Sequence, residues 1–176
     1  FALLLMIWVG RRRTEKATSP WEKREVSDLA FYLFLGAVLG GRIGYMLFYQ
    51  WQAFLQNPLL LLGISSEGIS WAGMSFHGGV LGVIVAAFYA KFKFKKSFAQ
   101  IVDFTTPLIP IGLFLGRIGN FINGELWGKP TNQSWGFLFP YAPDYAQGIY
   151  RHPSMLYEAF LEGLVLYLIL WLYTRR

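Results

Sequence analysis

The chain has 176 residues, of which 55% are hydrophobic and 19% aromatic, and its mean hydropathy is +0.38. This composition is too apolar for an ordinary soluble domain and indicates a polytopic integral membrane protein, so we predict an all-α helical bundle. The chain has no cysteine and two histidines, which excludes disulfides, thiolate nucleophiles and cysteine-based or histidine-rich metal sites within it. We expect neither a metal nor a cofactor.

The net charge of +6 could suggest a nucleic-acid partner, but the basic residues fall in short runs beside apolar segments. That pattern is typical of membrane topology, so no nucleic-acid binding is expected. Twelve of the sixteen Lys and Arg residues lie in segments expected to be cytoplasmic: residues 11–24, residues 91–96 and the C-terminal end. The others lie in the outer half of a span or in the outer loop, and they predict one polar site on the extracytoplasmic side: Arg42, Arg117, Lys129 and Arg151.

The apolar stretches predict five helical segments in chain order: 1–9, 29–49, 71–92, 98–121 and 154–173. Together they predict a single transmembrane helical domain over residues 1–176. Ser19 predicts the start of the second helix as a serine cap, because Pro lies at the first helical position after it and Glu at the third. Pro107 and Pro110 predict a kink in the fourth segment. Residues 124–153 form the longest polar loop.

The second segment carries Gly36, Gly40 and Gly44 at four-residue spacing. Small residues at this spacing allow two membrane helices to approach closely. We therefore expect this stripe to be a helix-packing face.

A polar stretch from Gly116 to Gly128 follows an apolar run and contains one arginine, two asparagines and a glutamate. An arginine at membrane depth costs roughly 2.5 to 3.5 kcal/mol and normally faces a partner, a cavity or a substrate. Asn120 lies on the same helical face as Arg117, and Asn123 with the next glycine predicts a helix terminus. This composition suits a pocket for a phosphorylated headgroup. The alternative is that Arg117 is a snorkelling anchor and the glycines are packing contacts.

The sequence resembles the prolipoprotein diacylglyceryl transferase family of bacterial inner-membrane enzymes. The resemblance rests on four motifs: residues 40–45 (Gly-Gly-Arg-Ile-Gly-Tyr), 75–79 (Ser-Phe-His-Gly-Gly), 116–128 and 151–158 (Arg-His-Pro-Ser, then Leu-Tyr-Glu). Measured against the family, the chain is expected to lack helices before Phe1 and after Arg176.

The resemblance implies transfer of the diacylglyceryl group of phosphatidylglycerol to the thiol of the lipobox cysteine in a preprolipoprotein, with release of glycerol phosphate. The implied partners are phosphatidylglycerol, the preprolipoprotein signal peptide with its lipobox cysteine, and membrane lipids. The implied place is the bacterial inner membrane, with the site facing the extracytoplasmic side.

For this reaction we expect Arg117 to bind the phosphate and Asn120 to donate hydrogen bonds. His77 is a candidate general base for the thiol, because the unperturbed pKa of imidazole lies nearest neutrality. The alternative for His77 is a structural histidine beside closely packed glycines. Glu125 is expected to orient Arg117 or to bind glycerol hydroxyls.

Substrate binding is expected at eight further positions: Arg42, Gly78, Gly79, Asn123, Gly128, Arg151, His152 and Glu158. Glu158 requires a cationic partner, either Arg151 or an arginine from another helix. Tyr157 and Trp127 are expected to belong to an interfacial aromatic belt.

Two other function classes compete with the enzyme. A transporter or a non-catalytic lipid-headgroup-binding module would use the same cationic pocket without chemistry, and kinked helices suit a transporter. A purely structural subunit would explain the glycine stripe but not the polar residues of 116–128.

Overall fold

The structure is a computed structural model that describes residues 1–15, 20–65, 68–70 and 73–174. Its α-helices are α1 (Ala2–Arg13), α2 (Lys23–Tyr49), α3 (Trp51–Gln56), α4 (Phe76–Lys93), α5 (Phe98–Thr105), α6 (Ile109–Asn123), α7 (Ser154–Glu158) and α8 (Leu166–Thr174). Three 3₁₀ segments, Pro58–Leu62, Thr106–Leu108 and Tyr145–Gln147, and a π-helix, Ala159–Val165, accompany them. Strands β1 (Ile64–Ser65) and β2 (Gly68–Ile69) form a two-residue antiparallel pair in which Ile64 faces Ile69.

The prediction of an all-α membrane protein is confirmed. Within the described part of the chain, three helical stretches are long and apolar enough to cross a membrane: Lys23–Tyr49, Phe98–Asn123 and Ser154–Thr174. They correspond to the second, fourth and fifth predicted segments.

The predicted segment 71–92 is wrong at its start. Helix α4 begins at Phe76, because the hydroxyl of Ser75 caps it by accepting a hydrogen bond from the backbone N–H of Gly78 at 3.2 Å. His77 therefore lies in the first turn of α4. Residues 71–72 lie outside the described residues, and α4 is not among the three stretches named above.

The chain divides into two compact units. The α2–α4 unit comprises Thr14–Val102, and the α6–α8 unit comprises Phe1–Arg13 with Asp103–Arg176. The boundary falls inside α5. A single transmembrane domain over the whole chain stays a prediction.

In the α2–α4 unit, helix α2 begins at Lys23, later in the chain than a cap at Ser19 would place it. Ser19 lies outside the described residues, and the cap is Glu22, which forms a capping box with Glu25. The Glu22 backbone N–H donates to the Glu25 carboxylate at 3.0 Å. Reciprocal bonds of this kind satisfy N–H groups that the first turn otherwise leaves unpaired.

The glycine stripe of α2 packs on α4, as predicted. A Cβ atom on Gly40 would lie 2.4 Å from the carbonyl oxygen of Gly78, and one on Gly36 would lie 2.5 Å from that of Gly82. One on Gly44 would lie 2.7 Å from the Cα atom of Gly78. Real Cβ contacts are not this short, so the crossing of α2 and α4 requires glycine on both helices.

In the α6–α8 unit, the helix end lies where it was predicted, and a 3₁₀ segment interrupts the helix at the prolines for which a kink was predicted. Pro107 lies in a 3₁₀ segment that separates α5 from α6, and Pro110 lies in the first turn of α6. Helix α6 ends at Asn123, and Gly124 follows in the left-handed conformation with φ of 67°.

The loop between α6 and α7, residues 124–153 and the outer loop of the predicted topology, forms a small core together with Met155 of α7. Phe139, Ala142 and Met155 are buried together, and Phe121 and Trp127 pack against them. The Trp127 ring stacks on Phe139 with 6.4 Å between centroids. Trp127 is therefore a packing residue of the loop, and its place in an interfacial belt stays a prediction.

Candidate functional site

An arginine between two carboxylates is the centre of the polar site in the α6–α8 unit. The Nη2 atom of Arg117, on α6, lies 2.8 Å from Oε2 of Glu158 and 3.6 Å from Oε2 of Glu162. The three side chains are 30%, 38% and 49% exposed. Both contacts use Nη2, so within the described residues Nε and Nη1 are available to a ligand.

The π-helix Ala159–Val165 begins directly after Glu158 and contains Glu162. Its residue Gly163 lies against α6, because a Cβ there would be 2.6 Å from the Cβ atom of Phe114. Phe114 precedes Arg117 by three residues on α6 and so shares its face. The close approach at Gly163 thus brings the two glutamates within reach of the guanidinium.

The predictions about the two glutamates differ in outcome. Glu158 was expected to pair with Arg151 or with an arginine from another helix, and Arg117 of α6 is its partner. Glu125 was expected to orient Arg117 or to bind glycerol hydroxyls. It accepts a hydrogen bond from Nδ2 of Asn123 at 3.1 Å and does not orient Arg117, and the binding of hydroxyls stays a prediction. The backbone N–H of Glu125 donates to the carbonyl of Asn120 at 3.0 Å, so the turn that ends α6 directs Glu125.

Arg151 joins two parts of the outer loop. Its Nε atom lies 2.9 Å from Oδ1 of Asp144, its Nη2 atom lies 2.6 Å from Oδ2, and its Nη1 atom donates to the carbonyl of Gly128 at 2.9 Å. The hydrogen bonds from Arg151 hold the pKa of the Asp144 carboxyl below its usual range, and the same bonds raise the pKa of Arg151. Arg151 is thus paired with Asp144, and the alternative that it pairs with Glu158 is wrong.

The glycines assigned to substrate binding have packing roles in the structure. The N–H of Gly128 donates to the carbonyl of His152 at 2.8 Å, and a Cβ on Gly128 would lie 2.9 Å from that oxygen. Gly78 is one of the glycines at the crossing of α2 and α4. Gly79 is less restricted, since its Cβ would be 3.5 Å from the carbonyl oxygen of Ala37.

The side chain of His152 contacts Tyr157, which is in turn bonded by Trp135. Its Nδ1 atom lies 3.0 Å from the hydroxyl of Tyr157, and Nε1 of Trp135 donates to the same hydroxyl at 2.9 Å. Tyr157 is therefore hydrogen-bonded next to the polar site, and its place in an aromatic belt stays a prediction.

In the α2–α4 unit, Arg42 is 4% exposed. Its guanidinium donates to the carbonyls of Leu60, Leu61 and Gly73, with 3.3 Å to Leu61 and 3.2 Å to Gly73. The residue also lines a cavity of about 160 Å³ together with Tyr45, Met46, Gln50, Leu60, Gly63 and Ser70. Because its guanidinium bonds carbonyls of both, Arg42 links the 3₁₀ segment Pro58–Leu62 to Gly73.

His77 is exposed at the start of α4, and its ring meets the Phe76 ring edge-on with centroids 5.8 Å apart. The general-base role of His77 stays a prediction. The predicted residues therefore fall in two groups. Arg42, His77, Gly78 and Gly79 belong to the α2–α4 unit, and the others belong to the α6–α8 unit: Arg117, Asn120, Asn123, Glu125, Gly128, Arg151, His152 and Glu158.

Sequence reasoning missed three partners in the site, namely Glu162, Asp144 and Trp135. Glu162 had a signal: an acidic residue in an apolar helix, four residues after Glu158 and so on a neighbouring position of the helical surface. Asp144 and Trp135 had none, because both lie in the loop and reach their partners through its fold.

The full chain, residues 1–176, matches the family described as prolipoprotein diacylglyceryl transferase. The chain belongs to this family. It is 53% identical over 169 residues to the phosphatidylglycerol-prolipoprotein diacylglyceryl transferase of Solidesulfovibrio magneticus, a match that covers 96% of this chain and 61% of the relative. The enzyme of the same name from Pseudoalteromonas atlantica is 57% identical over 170 residues, with 96% and 56% covered.

A Pseudomonas putida enzyme of that name is 46% identical over 183 residues, with all of this chain and 66% of the relative covered. The chain thus spans less than two thirds of the length of these family members.

Proposed function

We propose that this chain, within the bacterial inner membrane, transfers the diacylglyceryl group of phosphatidylglycerol to the lipobox cysteine of a preprolipoprotein. The names of its relatives support this substrate pair. The structural observation that carries the proposal is Arg117, a partly exposed cation on a candidate span whose Nε and Nη1 remain available beside Glu158 and Glu162.

The reaction forms one bond and breaks one. The cysteine sulfur attacks the carbon of the diacylated glycerol that bears the phosphate, and the bond between this carbon and the phosphate oxygen breaks. The electron pair leaves with that oxygen as glycerol phosphate, and the thiol proton passes to a base. The thiolate is the reactive form of cysteine, so a base is required at neutral pH. His77 is the base that we propose.

Arg117 is proposed to bind the phosphate and to offset the charge that develops on the leaving group. The guanidinium fork suits phosphate oxygens, and contacts to Glu158 and Glu162 limit its rotation before substrate binds. The two carboxylates also repel an anionic phosphate. The interaction between charges falls with distance, so direct contact with Arg117 outweighs the more distant glutamates. Asn120 supplies an amide donor on the same face of α6.

The remaining predicted residues divide by their contacts. Asn123 and Glu125 are exposed and hydrogen-bonded to each other, and we propose that they receive the glycerol hydroxyls. Arg42, Arg151 and Gly128 are proposed to position backbone segments. The site is proposed to face the extracytoplasmic side, where the distribution of Lys and Arg puts the outer loop.

The test is mass spectrometry of a lipobox peptide incubated with phosphatidylglycerol vesicles and the purified protein. The wild type is expected to add a diacylglyceryl mass to the cysteine, and Arg117→Ala is expected not to. Arg24→Ala, which removes an exposed arginine from the first turn of α2, is the matched control and is expected to remain active. A folded wild type that binds the vesicles but leaves the cysteine unmodified would contradict the proposal and favour a non-catalytic lipid-headgroup-binding module.

A further inference from the structure

The side chains of Trp135, Tyr157 and His152 form a hydrogen-bonded series in the α6–α8 unit. The indole Nε1 lies 2.9 Å from the phenol oxygen, and the phenol oxygen lies 3.0 Å from Nδ1 of His152. The two rings that share the second bond meet at 61° with 6.0 Å between centroids. The hydroxyl of Tyr157 is therefore the common partner of a donor and of an imidazole nitrogen.

This series places a possible donor beside the imidazole. An indole N–H only donates, so the phenol oxygen accepts from Trp135, and the phenol proton is free to be donated to Nδ1 of His152, the other partner that the described residues supply. With the phenol as donor, Nδ1 carries no proton in the neutral ring and the proton is on Nε2. Nε2 of His152 is then a hydrogen-bond donor.

The backbone of His152 is fixed as well. Its N–H donates to the carbonyl of Lys129 at 3.0 Å, and its carbonyl accepts from the N–H groups of Gly128 at 2.8 Å and Ser154 at 2.9 Å. With the backbone held, Tyr157 fixes the remaining freedom of the ring. A donor held in this way loses little entropy when it binds a ligand.

We propose that Nε2 of His152 donates a hydrogen bond to a phosphate oxygen of the lipid headgroup, with Tyr157 and Trp135 as positioning residues. This inference rests on the proposed function and adds a neutral donor to the cation supplied by Arg117. It gives the two histidines different proposed roles, because Nδ1 of His152 is occupied by Tyr157 and its Nε2 faces the phosphate as a donor, whereas His77 is proposed to take the thiol proton.

The first test is nitrogen NMR of the protein labelled with ¹⁵N in the histidine rings, in detergent at about pH 8, above the ordinary histidine pKa of about 6.5. The chain has two histidines, so His77→Gln assigns the spectrum. The expected result is a His152 ring protonated on Nε2 alone. Tyr157→Phe is expected to give a mixture of tautomers, and Tyr141→Phe, at a ring that is 75% exposed, is expected to leave the spectrum unchanged. A proton on Nδ1 in the wild type would overturn the assignment.

The ligand is tested on the same sample. Vesicles of phosphatidylglycerol are expected to shift the Nε2 resonance of His152, and vesicles of an uncharged glycolipid are not. A shift with free glycerol phosphate and none with phosphatidylglycerol would overturn the assignment to the lipid. These measurements do not depend on transfer activity, so they decide the role of His152 even if the wild type modifies no peptide and the proposed function fails.

The kinetic test compares His152→Gln with His152→Leu in the peptide assay. The Gln amide nitrogen takes nearly the position of Nε2 and donates, so His152→Gln is expected to keep kcat/KM within about threefold of the wild type. His152→Leu is expected to lose about tenfold or more, the usual effect of a hydrogen bond to a charged group. Equal losses in both variants would show that a base is needed and would overturn the proposal, as would full activity of His152→Leu.

Discussion

The guanidinium Nη2 of Arg117 and Oε2 of Glu158 lie 2.8 Å apart on two different helical segments, and Glu162 adds a second carboxylate at 3.6 Å. An ion pair that is 30% to 38% exposed stabilises a fold by about 1 kcal/mol or less. The value of this pair therefore lies in the orientation of Arg117 and not in the stability of the helices.

Glu158→Gln is expected to lower kcat/KM for phosphatidylglycerol about tenfold and to leave the thermal unfolding midpoint nearly unchanged. Glu162→Gln, at the longer distance, is expected to cost less than threefold. In a double-mutant cycle, Glu158→Gln is expected to have no further effect once Arg117 is Ala. Additive effects in that cycle would show that Glu158 does not act through Arg117.

The bond between Arg151 and Asp144 is expected to make the outer loop sensitive to acid. The hydrogen bonds from Arg151 lower the pKa of the Asp144 carboxyl, so it binds its proton more readily in the unfolded state than in the folded state. Its contribution to stability is complete above the unfolded pKa of about 3.9 and is lost as the pH falls below it, through the lower folded pKa.

Thermal unfolding between pH 6 and pH 3 measures this effect. Asp144→Asn is expected to be less stable than the wild type at pH 6, and the difference is expected to shrink toward pH 3. A constant difference across this range would contradict the role given to the Asp144 carboxylate.

Alanine at the crossing of α2 and α4 is expected to destabilise the protein. Gly40→Ala and Gly78→Ala each place a methyl group within 2.4 Å of a carbonyl oxygen of the other helix, and overpacking of this kind costs about 1 to 3 kcal/mol. Gly116→Ala is the matched control, because no atom lies within 4 Å of the position of its Cβ. Denaturant titration in detergent should show a loss for the first two and none for the control.

Replacement of Arg42 is expected to release the segment between α3 and α4. Arg42→Leu removes the cationic donor from the carbonyls of Leu60, Leu61 and Gly73. The Leu60 carbonyl keeps the N–H of Gly63 at 3.0 Å, and a carbonyl left without a partner costs about 1 to 3 kcal/mol. Chymotrypsin cleavage after the leucines of 59–62 is expected to be faster than in the wild type. Arg42→Lys should be intermediate, because one ammonium group does not reach three carbonyls that a guanidinium fork bonds.

Unchanged protection of residues 59–62 in Arg42→Leu would show that the segment is held by other contacts. Loss of lipid transfer together with unchanged protection would instead restore Arg42 as a phosphate contact.

The sequence determined the membrane fold, the α2 packing face and the polar stretch on α6, because these depend on local composition and helical period. Each of these signals is local. An apolar run of span length predicts a membrane helix, glycines at four-residue spacing predict a packing face, and Asn123 before Gly124 predicts a helix end. The same local signals predicted a cap of α2 at Ser19, and they predicted a start of α4 that lies too early in the chain. The reason is that side-chain caps, at Glu22 and Ser75, decide where these helices begin.

The tertiary structure alone decided which polar groups meet. Arg117 bonds a glutamate 41 positions further along the chain and not the nearby Glu125, because α6 and the π-helix approach each other at Gly163 while the turn after α6 directs Glu125 to Asn123. Trp135 and Tyr157 meet only because the outer loop folds on its own small core. Hydrogen bonds and ion pairs depend on the distance and direction between two groups in space. The number of residues between the two groups in the sequence gives neither their distance nor their direction.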